Sequence, residues 1–183
     1  MPSVPDTHRP KSYNNVTKIL HWLIFLTVAA QYAVGEFMPH IGRKTQEVGL
    51  VYVHIFLGGI VMGLIVLAMI WRFTHPVPQL PELPPWQRIA ASLTHWSLYI
   101  LILVMVVLGW AAADYRGWPV TIFGIPLPAL ANKGDRWANT AGDVHTFLVN
   151  VLLGLVILHV GAALYHGFFL RDKVLKRILP GSG

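Results

Sequence analysis

The chain has 183 residues, a length that suits one domain, with 55% hydrophobic and 12% charged residues, a formal net charge of +6 and no cysteine. Such an apolar composition lies outside the range of ordinary soluble proteins and points to an integral membrane protein. Without cysteine there can be no disulfide, iron–sulfur cluster, thiolate zinc site or covalent haem attachment through C-x-x-C-H, so any metal must be held by histidine or carboxylate.

Residues 1–16 are polar and carry Pro2, Pro5 and Pro10, which reads as a flexible N-terminal tail. The first apolar window, Thr17 to Phe37, has the roughly 20 residues that a bilayer-crossing helix needs. It follows a short basic stretch, as a secretory signal would. It is nevertheless long for one, lacks a clear A-x-A site and carries His21 and Glu36, so it is expected to remain as a span.

The second window, Gly49 to Trp71, leads into "RFTHPVPQLPELPPWQR". Its prolines lack backbone donors and argue for an extended connector that continues neither helix. The third window, Ala91 to Ala113, precedes "DYRGWPVTIFGIPLPALANKGDRWANTAGD". There Trp118, Phe123 and Trp137 suggest a flap lying at headgroup level, with a lid over a cofactor as the alternative. The fourth window runs from Val144 to Phe168 and ends in a basic C-terminal tail, residues 171–183. The expected fold is all-α, a four-transmembrane-helix bundle over residues 17–170, without an internal repeat or a phosphate-binding glycine motif.

Placement of the cations orients the bundle. Arg9, Lys11, Lys18, Arg72, Arg88, Arg171, Lys173, Lys176 and Arg177 fall on one side of the membrane, whereas Arg43, Lys44, Arg116, Lys133 and Arg136 fall on the other and are matched there by Glu36, Glu47, Asp114, Asp135 and Asp143. By the positive-inside rule both termini face the cytoplasm. The basic charge therefore serves orientation, and no nucleic-acid partner is expected.

Of the nine histidines, His21, His54, His95, His145, His159 and His166 lie in or at the edge of an apolar window. Ionisable groups inside spans are rare and face the bundle interior with a partner; a single one can also serve as interhelical glue. In the orientation above, His54 and His145 lie toward the outer side, and His21 and His159 toward the inner. Fourteen residues turn a helix through about 1400°, which leaves His145 and His159 only about 40° apart in azimuth and about 21 Å apart along the axis. One groove thus receives both imidazoles, too far apart for one metal centre. Facing imidazoles from neighbouring helices bind haem iron from both sides, so the spacing predicts two b-type haems, held by His21/His159 and His54/His145. Gly58, Gly59, Gly63, Gly154 and Gly161 would either clear space for a flat macrocycle or serve ordinary close packing.

His95 and His166 lie near the cytoplasmic ends of their helices, with Arg72 and Arg88 in the loop close by. They are candidates for a quinone site, where an imidazole hydrogen-bonds a carbonyl and exchanges the proton that accompanies each electron. Arg72 belongs to the same candidate site. His95 is also a rival haem ligand, in place of His21 or His159.

The stretches "KILHWLIFLTVAAQY", "VHIFLGGIVMGLIVLAMIWRFTHPVP", "THWSLYILILVMVVLGW" and "HTFLVNVLLGLVILHVGAALYHGFFLRDKVLKRILP" together resemble the bacterial cytochrome b561 family over nearly the whole chain. That resemblance implies a multi-pass protein of the bacterial inner membrane with two non-covalent haems b. It also implies electron transfer from a periplasmic donor to ubiquinone. Carried over residue by residue, the axial ligands are His21, His54, His145 and His159, and His166 matches a position near the quinone. One relative in the family looks like a superoxide oxidase, but the outer loops here balance their cations with acids, so an electrostatic steering surface does not stand out.

The expected activity is that of an oxidoreductase of the superoxide:ubiquinone type. The alternative is a cytochrome b membrane anchor that passes electrons between quinone and a partner dehydrogenase or hydrogenase. A histidine-lined metal or proton transporter is a third reading, which leaves two pairs separated in depth unexplained. Lipid and quinone are the expected partners, with room for a homodimer or a redox partner protein.

Overall fold

The computed structural model describes residues 12–42, 44–75, 83–122 and 124–181. The tail residues Arg9 and Lys11, the loop residues Arg43 and Phe123, and the proline-rich stretch 76–82 lie outside the described residues. Among the described residues, four helices are long and apolar enough to cross a membrane: α1 (Asn15–Phe37), α2 (Leu50–Thr74), α3 (Pro85–Arg116) and α4 (Arg136–Tyr165).

Helices α1 and α3 outrun their apolar windows for local reasons. The side chain of Asn14 accepts the amide of Thr17 at 2.8 Å, an N-cap that starts α1 ahead of the apolar run. The proline-rich connector is shorter than the sequence suggests. α2 continues to Thr74, and Pro85 occupies the first turn of α3, where its missing N–H costs nothing and its fixed φ suits the helix. α3 ends at Gly117, which takes a left-handed φ of 77° while Trp118 N–H returns to the Ala113 carbonyl at 3.0 Å, a closure that favours glycine.

One end of the bundle carries the chain termini and the α2–α3 connector; the other, the loop end, carries the α1–α2 and α3–α4 loops. At the loop end, α3 and α4 meet through small residues, Ala111, Ala138 and Ala141, with Ala131 of the intervening loop. Small side chains let membrane helices approach closely. At mid-depth, Val61, Ile65 and Ile102 form a second buried cluster, flanked by Ile24, Val28 and Leu152. Elsewhere large apolar side chains such as Leu158, Phe147 and Ile157 are exposed, as lipid-facing positions require.

The α3–α4 loop is tied down rather than lying flat at the surface. Thr121–Ile122 (β1) pairs antiparallel with Ile125–Pro126 (β2), and the Thr121 carbonyl rests so close to Gly59 of α2 that a Cβ there would collide with it. The buried carboxylate of Asp114 accepts the amide of Leu130 at 2.6 Å. Arg116 donates to the Gly42 carbonyl at 2.8 Å and lies over the Trp118 ring, which joins the two loops.

At the terminal end, α4 passes into one π-helical turn, His166–Leu170, and stops at Arg171 in a left-handed conformation with φ 52°. The chain then folds back across α1: Trp22 Nε1–H donates to the Ile178 carbonyl at 3.0 Å and Ser12 Oγ–H to the Arg177 carbonyl at 3.2 Å.

Removing the Asp114 carboxylate leaves the Leu130 amide without its buried acceptor. Asp114→Ala is expected to destabilise the fold by about 1–3 kcal/mol, with faster proteolysis between residues 118 and 131; thermal unfolding in detergent and timed digestion check this.

Candidate functional site: facing histidines along the bundle interior

His54 lies one turn into α2 and His145 well inside α4, and the antiparallel run of the helices brings both to the loop end. Their ring centres are 6.1 Å apart, with planes at 84°. His145 Nδ1 lies 2.7 Å from the Met105 carbonyl of α3. A carbonyl can only accept, so Nδ1 carries the hydrogen and Nε2 keeps its lone pair. One turn after Met105, Gly109 lies against the same ring, where an added Cβ would come within 3.1 Å. His54 leans on α1: Gln31 donates its amide to the His54 carbonyl at 2.9 Å, and a Cβ on Gly35 would sit 3.6 Å from the His54 ring.

At the terminal end, the rings of His21 and His159 are 6.2 Å apart between centres, with planes at 57°. His95 reaches the same region from α3, and its ring centre is 5.2 Å from that of His159.

These spacings carry a chemical meaning. A metal–imidazole bond is about 2.0–2.1 Å, and a ring nitrogen is about 1.2 Å from the ring centre, so two imidazoles on opposite sides of one metal have centres about 6.4–6.6 Å apart. The His54/His145 pair, at 6.1 Å, and the His21/His159 pair, at 6.2 Å, come close to that spacing. His95 and His159 are too close for a metal in line between them. His21 stands near the in-line spacing from His159, and His95 does not.

All five histidines line one cavity of about 1760 Å³, larger than a single drug-sized ligand requires. Among the described residues no three of His, Cys, Asp or Glu converge as a metal-ion cage. Paired imidazoles with room beside them, a glycine against the His145 ring and a predominantly apolar lining fit a flat macrocycle with an iron centre. The mid-depth cluster of Val61, Ile65 and Ile102 stands between the two pairs; Leu152, which packs on it, is seven residues from both His145 and His159.

Of the quinone candidates, His166 opens the π turn, and its Nδ1–H bonds the Asp172 carboxylate. The other carboxylate oxygen of Asp172 accepts the Val174 amide at 2.9 Å, so the folded-back tail holds the pair in place. Arg72 lies 5.9 Å from the Trp96 ring centre, and Arg72, His95 and His166 all line the cavity. Sequence reading did not single out Met105, Gly109, Gln31, Gly35 or Asp172. Only Asp172 carried a signal, as the acid within a basic tail. Gly59 serves close packing against Thr121. Gly154 and Gly161 are exposed, have nothing near an added Cβ and are not among the residues that line the cavity.

Four spans enclosing histidines in facing pairs define an intramembrane haem protein of the cytochrome b class. The family model described as prokaryotic cytochrome b561 matches residues 12–181, and the chain belongs to that family. It is similar to "Cytochrome b561 homolog 2" of Escherichia coli (strain K12), 29% identical over 96% of this chain and 95% of the relative. It is also similar to "Probable superoxide oxidase CybB" of Yersinia pestis, 26% identical over 93% of this chain and 97% of the relative. "Cytochrome b562" of Cereibacter sphaeroides is 28% identical over 91% and 94% of the two chains. The protein is thus a multi-pass membrane cytochrome b with an electron-transfer role, and its family implies haem b.

Gly109→Val is expected to push the His145 ring from its seat and lower the haem content of the purified protein, whereas Gly154→Val and Gly161→Val leave it unchanged. Pyridine haemochrome assays on the three variants decide this.

Proposed function

We propose that the chain holds two haems b, one between His54 and His145 and one between His21 and His159. Through them it passes electrons across the membrane from a donor at the loop end to ubiquinone at the terminal end, which faces the cytoplasm. The observation that carries this reading is the recurrence at both ends of the ring spacing that one metal between two imidazoles needs. Haem b, when bound, supplies a reversible one-electron iron couple.

Everything else is done by this chain's residues. Two imidazoles per site would hold each haem, which would commit the site to electron transfer and leave oxygen no place to bind. The Met105 carbonyl fixes the tautomer of His145. At the terminal end Asp172 accepts from Nδ1 of His166, which leaves Nε2, when it carries a proton, to donate to a quinone carbonyl and pass that proton on. His95 and Arg72 share that end of the cavity and complete the polar lining of the quinone site.

Superoxide is the donor to test first, because a relative of similar length bears the name probable superoxide oxidase. Arg116, Lys133 and Arg136 lie at the loop end, where an anion would dock.

The wild type is expected to contain two haems per chain, His159→Ala and His145→Ala one each, and His95→Ala two. Full occupancy in His159→Ala would overturn the ligand assignment. His166→Ala and Asp172→Asn should keep both haems and slow quinone reduction by about 10²-fold, followed by stopped-flow absorbance after reduction with superoxide. Failure of superoxide to reduce the haems would remove it as donor, and a stoichiometric soluble protein on copurification would favour the anchor role.

A further inference from the structure

Arg72 follows His54 by eighteen residues within α2, about five full turns, so the two side chains leave the helix on one face. Arg72 therefore meets the same groove as His54, at its terminal end. Its guanidinium lies over the Trp96 ring, 5.9 Å from the ring centre. Trp96 follows His95, whose ring centre is 5.2 Å from that of His159. Arg72 is half-buried, lines the cavity and has no carboxylate partner among the described residues. Beside it, Trp71 is stacked on His75, with ring centres 3.5 Å apart and planes at 11°, and His75 Nδ1 lies 3.2 Å from the Trp71 carbonyl. The stack fixes the indole, whose Nε1–H is buried without a hydrogen-bond partner in a side chain that lines the cavity.

A cation inside a span is costly unless an anion meets it. Among the described residues three guanidinium groups line the cavity, those of Arg72, Arg88 and Arg177, all at the terminal end, whereas the acid that lines it, Glu36, is at the loop end. The interior thus offers positive charge to a ligand at one end. A quinone is neutral and gives Arg72 no counter-charge. Haem b carries its carboxylates on one edge of the ring, and a carboxylate accepts from a guanidinium and from an indole N–H alike.

We infer that Arg72 and the indole N–H of Trp71 form the seat of a haem carboxylate at the terminal end. The inference rests on the His21/His159 haem site proposed above and adds what orients its ligand. Two axial imidazoles leave a macrocycle free to turn about the line that joins them, and a carboxylate held at one edge sets its direction, toward the end of α2. Arg72 has five N–H donors, so it holds the carboxylate and still lines the quinone site. At the loop end the buried indole N–H of Trp110 has no guanidinium beside it in the cavity lining, which makes the ionic seat particular to the terminal end.

The test uses the full chain in detergent, in the His145→Ala background so that the terminal-end haem is read alone, with haem isotope-labelled at its carboxylates. Two quantities are measured for Arg72→Leu, Trp71→Phe and their parent: the labelled carboxylate bands in the infrared difference spectrum between oxidised and reduced protein, and the rate of haem transfer to excess apomyoglobin. Arg72→Leu is expected to shift the labelled bands and to speed haem loss about tenfold, the equivalent of one charge-assisted hydrogen bond. Trp71→Phe keeps a ring to stack on His75 and removes only the N–H, so it is expected to shift the same bands and to speed loss by about threefold.

A role in packing alone would speed haem loss without moving the labelled bands, and that result overturns the inference. So do unmoved bands together with slower quinone reduction, which would give Arg72 to the quinone alone and leave the two-site reading standing. If Arg72→Leu fails to assemble, Trp71→Phe decides, and labelled bands identical to those of the parent overturn the inference. A His145→Ala parent without any haem would overturn both the seat and the His21/His159 site.

Discussion

An imidazole inside a membrane must have a partner, because hydrocarbon offers it none. This chain places five of them along the interior of one bundle, and four of these fall into two pairs at a spacing that suits a metal between them, with His95 beside His159. His54 meets His145 at 6.1 Å and His21 meets His159 at 6.2 Å. The bundle cannot close on itself while holding these pairs apart. Its interior accordingly stays open as a cavity of about 1760 Å³, and its two clusters of buried apolar side chains sit at the loop end and at mid-depth.

The remaining structure keeps that open interior in register. Val61, Ile65 and Ile102 hold the helices together at mid-depth and line the cavity there. At the loop end the hairpin closes onto Gly59 of α2, with Val120 and Leu127 contributing to the cavity wall. At the terminal end the tail returns under α1, and its Asp172 bonds His166. Both ends are therefore closed by segments whose anchors are side-chain hydrogen bonds to backbone, namely Asp114 to Leu130 and Trp22 to Ile178.

Much of the fold was legible because apolar windows of membrane length have few other uses. Helix ends were less so. Asn14 capping α1, Pro85 in the first turn of α3 and Gly117 closing its end are local devices that a hydropathy window averages away, and they lengthen the helices at the expense of the loops. Glycines were read with mixed success. Gly154 and Gly161 turn outward, whereas Gly35 and Gly109, which lie against the His54 and His145 rings, had nothing to distinguish them in the sequence. Azimuth along one helix is calculable, but which face a neighbouring helix offers to it is not.

The sequence by itself determined the membrane location, the four spans, the exclusion of thiolate and covalent haem chemistry, and the depth of each histidine. All of these follow from composition and from the fixed rise of a helix. Tertiary structure decided which rings meet. It set His95 beside His159 at 5.2 Å, too near for a metal in line, and gave His21 the facing position. It also supplied the acceptor for His145 from a backbone carbonyl forty residues away, and brought Gln31 of α1 against His54 of α2. The physical reason is that a backbone carbonyl has no letter in the sequence, and its role exists only once two helices pack.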